Sequence, residues 1–286
     1  MEKRNYGSTG IKLSLLGFGG IIVTDTEQSE ANNYVAEAID GGINYFDVSP
    51  NYGNAQDRLG PALAGKRERI FLACKTERRT KVEAETELNQ SLKILRTDHV
   101  DLYQLHAVKK MAEVETIFGP GGAMETLLQA QKDGKIRYLG FSAHTEEAAL
   151  ALMDRFPFTS VLFPLNWAAV LNTGFGTQVI KKAEAKGMAR LALKALAKNE
   201  WPVKLAAHER KYPKCWYEPI DDERWADLAL RFTLSQSITA AIPPGDIRLF
   251  RLAMKSAANF RPLTLAELNE LKERAIALKS LFPKVY

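Results

Sequence analysis

The sequence predicts an α/β fold closed into a single (β/α)8 barrel, and three observations carry that prediction. Short β-rich runs alternate with stretches of helical period from one end of the 286-residue chain to the other. The β-rich runs number eight. No shift of composition towards a linker divides the chain, so the reading is one domain over residues 1–286, close to the roughly 250 residues typical of such a barrel. With 46% hydrophobic and 26% charged residues, the composition is that of an ordinary folded protein.

Each element is legible in order. The turn Gly7-Ser8-Thr9-Gly10 predicts an N-terminal β-hairpin. Strands are expected at 15–18, 43–47, 70–75, 100–106, 136–142, 160–165, 190–193 and 238–242. Between them, Leu88, Leu92 and Leu95 recur at helical spacing over 83–95, and Met124, Leu127 and Leu128 share a face over 123–133. Gly41-Gly42, Gly65, Gly134 and Gly187 each follow a helical run, as left-handed C-caps do. A last amphipathic helix over 265–281 is expected to pack outside the barrel. Residues 156–180 carry no charge, but two prolines, two glycines and seven Ser/Thr/Asn/Gln residues interrupt them. They read as a buried strand followed by a polar loop, because a spanning helix needs about 20 predominantly apolar residues. An open doubly wound sheet is the alternative architecture. The first strand, however, leads only into Gly17-Phe18-Gly19-Gly20, which is no G-x-G-x-x-G dinucleotide fingerprint.

The net charge of +5, from 39 Lys+Arg against 34 Asp+Glu, is spread along the chain. No nucleic-acid groove or membrane face is therefore expected, while anionic cofactors remain compatible. Only Cys74 and Cys215 are present, too few for a disulfide framework or a four-thiolate cluster, and no metal site is expected. Cys74 reads as a small buried filler. The opening MEKRNYGSTG holds no apolar segment, which together with the cysteine usage gives the expectation of a cytoplasmic protein.

The ionisable residues that interrupt apolar runs fall at the C-terminal ends of the expected strands, the face on which barrel active sites are built. Asp47 closes the second strand in INYFDVSPNYG, Lys75 the third in IFLACKT and His106 the fourth in VDLYQLHA. Tyr52 follows Asp47 on the next loop. A lone Asp or Lys at a strand end is commonly a cap or a solvated residue, and a lone His there a structural one. Four such groups on one rim form a set with a chemical purpose.

At these residues the chain resembles the aldo-keto reductase superfamily, almost from end to end. The likeness runs through YGSTGIKLSLLGFGG, FDVSPNYGNAQDRLGPAL, LACKT, SLKILRTDHVDLYQLH, GKIRYLGFSAH and LALRFTLSQSITAAIPPG. The resemblance implies a catalytic tetrad of Asp47, Tyr52, Lys75 and His106. It also implies NADPH, with NADH as the alternative, bound without a Rossmann fold. Some similar enzymes that reduce carbon–carbon double bonds carry Glu in place of the His, so His106 favours a small carbonyl substrate. The chemistry agrees. Hydride addition puts negative charge on the carbonyl oxygen, which calls for a proton donor and a stabilising dipole. Tyr52 is the expected donor, its pKa lowered by Lys75, which Asp47 fixes in place, while a neutral His106 orients the substrate oxygen.

For the cofactor, the resemblance implies contacts at Ser142 and Asn166. Lys194 is similar to the lysine of a branch that carries Met-Lys-Pro and often a C-terminal iron–sulfur segment, for which this chain lacks the cysteines. In Pro243-Pro244-Gly245-Asp246, Pro243 and Gly245 precede a helix N-terminus suited to a phosphate. Arg248 and Arg251 are the candidates for an adenosine 2′-phosphate. Ala143, Leu162 and Leu193 stand where many similar proteins have Asn, Gln and Tyr. Substrate choice is expected from long loops at 107–122 and 195–224, with Trp167, Trp201, Trp216 and Tyr217 as candidate pocket aromatics. Two other readings follow: an NADP(H)-binding redox sensor or auxiliary subunit, and a lyase using Lys75 or Lys194 as a Schiff base.

Overall fold

The computed structural model describes residues 1–278 and 281–282. The chain opens with an antiparallel hairpin of β1 (Lys3–Asn5) and β2 (Lys12–Ser14) and then enters β3 (Gly17–Gly19). There follow α1 (Gln28–Asp40), β4 (Tyr45–Asp47), α2 (Ala55–Ala62), β5 (Phe71–Thr76), α3 (Lys81–Leu95) and β6 (Val100–Val108). The next elements are α4 (Met111–Phe118), α5 (Ala123–Lys132), β7 (Ile136–Ala143), α6 (Glu146–Arg155), β8 (Ser160–Pro164), α7 (Trp167–Thr173) and α8 (Thr177–Ala185). The chain continues through β9 (Ala189–Leu193), β10 (Ala197–Glu200), β11 (Tyr217–Pro219), α9 (Glu223–Ser235), β12 (Ala240–Ile242), α10 (Ile247–Ala258) and α11 (Leu265–Ile276).

Eight of these strands form one parallel sheet in the order β12-β9-β8-β7-β6-β5-β4-β3. A parallel bridge between Leu16 and Ala241 joins its two ends, with Ala241 N donating to Leu15 O at 2.8 Å, so the barrel closes. All eight expected strands are present, with ends shifted by at most two residues.

The core has two layers. The larger lies between strands and helices and buries, among others, Leu88, Leu92, Leu127, Leu152, Phe163 and Phe250. The smaller fills the barrel itself with Tyr45, Phe71, Leu102, Leu162 and Leu191. The expected hairpin serves as its floor: Tyr6 and Leu13 are fully buried there, and Tyr6 Oη donates to Ser160 Oγ at 2.8 Å. Space inside is tight. A Cβ at Gly17 would sit 2.5 Å from the Tyr45 ring, and one at Gly140 would sit 2.5 Å from Ser160 Oγ. Either would displace the interior layer on which the site rests.

Four local expectations are corrected. The stretch after β8 is not a polar loop, because its Asn166 caps the two-turn α7, accepting from Ala169 N. The stretch 107–122 holds α4, and 195–224 holds the antiparallel pair β10 and β11. Of the expected left-handed glycines, Gly42, Gly65, Gly134 and Gly187 have positive φ, but Gly41 is right-handed at φ −71°. The last helix ends at Ile276, and of its expected remainder Lys279 and Ser280 lie outside the described residues. No described helix is long and apolar enough to cross a membrane.

Candidate active site

Strand alternation carries the site upward from the barrel interior. On β4, Tyr45 and then Asp47 face inward. On β5 the inward series is Phe71, Ala73, Lys75, and on β6 it is Leu102, Gln104, His106. The register pairs Asp47 with Ala73 and Lys75 with Gln104, so the polar members step along β4, β5 and β6 towards the C-terminal rim. Asp47, Lys75 and His106 are buried and Tyr52 is half-buried above them. Asp47, Tyr52 and His106 line one side of a cavity of about 270 Å³ that opens at the rim, with Lys75 packed behind them.

Asp47 is held from three directions. The Lys75 ammonium pairs with its Oδ1, while Tyr45 Oη at 3.2 Å and Gln104 Nε2 at 3.1 Å donate to Oδ2. Lys75 Nζ also donates to Tyr52 Oη at 3.5 Å. Burial alone would lower the Lys75 pKa, but Asp47 and Tyr52 outweigh it and the amine is held above its ordinary value. It stays charged through neutral pH. Tyr52 departs from expectation: burial pushes its phenol above the usual value, and the opposing pull of Lys75 does not offset it. The Tyr52 and His106 rings meet edge to face at 5.8 Å. Burial, reinforced by the Lys75 charge, lowers the His106 pKa to about 2, so the imidazole is neutral. Its Nδ1 lies 3.1 Å from Ser49 Oγ.

The opposite wall comes from β9, the β10–β11 hairpin and the segment after β12. It contributes Leu193, Lys194, Lys214, Cys215, Trp216, Tyr217 and Pro243–Gly245. Lys194 has a left-handed backbone (φ +68°), and its Nζ lies 5.0 Å from the Trp216 ring centroid and 5.4 Å from that of Tyr217. No carboxylate pairs with it among the described residues, and burial lowers its pKa to about 8. Lys214 Nζ donates to Ile22 O at 3.0 Å.

The remaining expected cofactor residues are engaged with the protein itself. Ser142 Oγ accepts from Ala107 N at 2.7 Å. Asn166 Nδ2 donates to Ala197 O at 2.7 Å and Lys194 O at 3.2 Å. Asp246 occupies the N-terminus of α10, accepting from Arg248 N, and also takes Arg248 Nε and Nη2 at 2.9 Å. A carboxylate thus stands where the sequence suggested a phosphate. Arg251 makes two 2.8 Å bonds to Glu37. Of the four candidate aromatics, Trp216 and Tyr217 line the cavity. Trp167 is fully buried, donating to Ala197 O at 3.1 Å, and Trp201 donates to Cys215 O at 2.8 Å.

Sequence reasoning missed Tyr45 and Gln104, although a signal existed: each lies two residues before a tetrad member on the same strand and so shares its inward face.

The comparisons bear on the family and the fold. The aldo/keto reductase family model matches residues 15–201. The uncharacterized oxidoreductase YqkF of Bacillus subtilis is 25% identical over 300 residues, covering 95% of this chain and 96% of that one. The aldo-keto reductase YhdN of the same organism is 28% identical over 185 residues, covering 58% of this chain and 54% of its own. The holo form of an aldo-keto reductase from Bacillus halodurans superposes with a TM-score of 0.73 at 22% identity, covering 96% of each chain, a likeness of fold. The chain belongs to the aldo/keto reductase family.

Proposed function

With that membership as the premise, we propose that the protein reduces an aldehyde or ketone to its alcohol using NADPH, with NADH as the alternative, and that Asp47, Tyr52, Lys75 and His106 carry the chemistry. The observation that supports this most is the buried Lys75 ammonium set between the Asp47 carboxylate and the Tyr52 hydroxyl, beside a neutral imidazole.

The donor set on the far wall fits an anionic dinucleotide. A largely buried ammonium without a carboxylate, as at Lys194, is an incomplete site that a diphosphate would complete. Lys194 and Lys214 would hold that group, and the Trp216 and Tyr217 rings beside Lys194 would flank it. Ser142 and Asn166 act by fixing the ends of β6, β8 and β9. When bound, the reduced nicotinamide supplies a hydride. Tyr52 gives its phenolic proton to the carbonyl oxygen. An alkoxide is a stronger base than a phenolate, so the transfer runs downhill even though burial raises the phenol. Lys75 stabilises the phenolate left behind, Asp47 keeps Lys75 charged and in place, and His106 donates a hydrogen bond to the same oxygen. Two free, buried cysteines support a reducing, cytoplasmic setting.

Titration with NADPH and NADH, followed by a panel of aldehydes and ketones, tests the reading. Saturable binding with cofactor oxidation by the wild type, and loss of that oxidation in Tyr52→Phe with binding retained, is the expected result. Binding without turnover of any carbonyl would instead favour the redox-sensor role.

A further inference from the structure

The proposed reaction needs more of His106 than neutrality. A neutral imidazole has one N–H, and which nitrogen carries it is set by the hydrogen bond the other nitrogen makes. To donate to a carbonyl oxygen from the cavity side, His106 must be protonated at Nε2, with Nδ1 accepting.

Two groups approach Nδ1. Ser49 Oγ stands 3.1 Å away, and Ser49 is fully buried. Its hydroxyl has no other partner among the described residues, so its hydrogen is free to point at the ring. Glu77 Oε1 stands 3.5 Å away, on a half-exposed side chain, and already accepts from Asn51 Nδ2 at 2.6 Å. The two pull in opposite directions. A hydroxyl can donate to Nδ1, which leaves the proton on Nε2. A carboxylate can only accept, which draws the proton to Nδ1 and leaves a lone pair, useless to a carbonyl oxygen, facing the cavity.

We propose that Ser49 is a positioning residue: its hydroxyl donates to His106 Nδ1 and holds the ring in the Nε2–H form against Glu77. The role in turnover rests on the carbonyl-reductase reading, but the tautomer does not. Ser49 is nearer than Glu77 and shielded from water, whereas Glu77 is farther, solvated and tethered by Asn51.

The test is long-range proton–nitrogen NMR on protein labelled with 15N-histidine. The four histidines, His99, His106, His144 and His208, are few enough to assign with His106→Asn. Wild type is expected to give the Nε2–H pattern at His106. Ser49→Ala should move it towards Nδ1–H, Ser49→Thr should keep it, and adding Glu77→Gln to Ser49→Ala should move it back. In parallel, kcat of Ser49→Ala should fall roughly 100-fold, the scale of losing one oxyanion donor, with cofactor Kd unchanged and rescue by Thr. An Nδ1–H pattern in wild type, or an unchanged pattern in Ser49→Ala, overturns the proposal. Should Ser49→Ala not fold, Ser49→Thr and Glu77→Gln decide, since both must keep Nε2–H. A wild-type spectrum as expected with no turnover of any carbonyl would count against the reductase reading alone.

Discussion

The two walls of the cavity handle charge in opposite ways. On the β4–β6 wall, charges are paired with each other: Lys75 with Asp47, and Asp47 in turn with Tyr45 and Gln104. On the β9–β12 wall, one of the two lining cations, Lys194, faces aromatic rings, while the arginines beyond it are bound to Asp246 and Glu37. A group that must stabilise a developing charge at one fixed point gains from being held before the substrate arrives. A group that is to bind an anion gains from being left unpaired. Under the proposed function, the first wall serves as catalytic machinery, and the second as a docking face with its own competitors built in.

The sharpest way to break the first wall is Lys75→Met. It removes the cation beside Tyr52 and leaves a buried Asp47 without its partner. Turnover should fall at least as far as for Tyr52→Phe, and unfolding free energy should drop by about 3–5 kcal/mol. Chemical denaturation and steady-state assays read the two effects separately. Tyr52→Phe should lower kcat by roughly 10²- to 10⁴-fold with stability nearly unchanged, because Lys75 and Asp47 remain paired. A stability loss like that of Lys75→Met would mean that Tyr52 is part of the buried network and not only its proton donor.

The pH response separates the walls again. Burial holds the Tyr52 phenol above its ordinary value, and His106 stays neutral well below neutrality. The donor is protonated below its raised pKa, so kcat/KM should show no ionisation of either group between about pH 6 and 10. The Lys194 amine is different. It binds an anion as the ammonium, and its pKa is lowered to about 8. Above that pH a proton must be taken up on binding, so cofactor Kd should rise by up to about tenfold per pH unit, and Lys194→Met should flatten the rise. The smallest effect expected is that of Glu37→Gln. It frees Arg251, and if that arginine reaches a 2′-phosphate, preference for NADPH over NADH should rise by no more than about fivefold, since exposed pairs are worth up to about 1 kcal/mol. Competitive titration with the two nucleotides measures it.

The contrast also explains what the sequence disclosed. Asp47, Lys75 and His106 stood out because a charge at the end of an apolar strand is costly unless it has work there, and the eight strands announced themselves by short β-rich runs between glycine stops. Helices α4 and α7 did not, because two turns carry too little period to separate from a loop. The raised phenol of Tyr52 was hidden as well: sequence gives the neighbouring cation but not the depth of burial that outweighs it. On the docking wall, Arg251 meets Glu37 from 214 positions away, and no local pattern reveals that pairing. Residues whose chemistry depends on their own strand were legible, whereas those whose chemistry depends on a distant partner were not.

The account turns on Tyr52 giving its proton to a carbonyl oxygen at this rim. A single-turnover experiment with NADPH deuterated at the transferring position, mixed with enzyme and an aldehyde, tests that claim most directly. The account predicts deuterium on the product alcohol carbon with wild type, and a rate at least 100-fold lower with Tyr52→Phe at saturating cofactor. Deuterium transfer at an undiminished rate in Tyr52→Phe would contradict it.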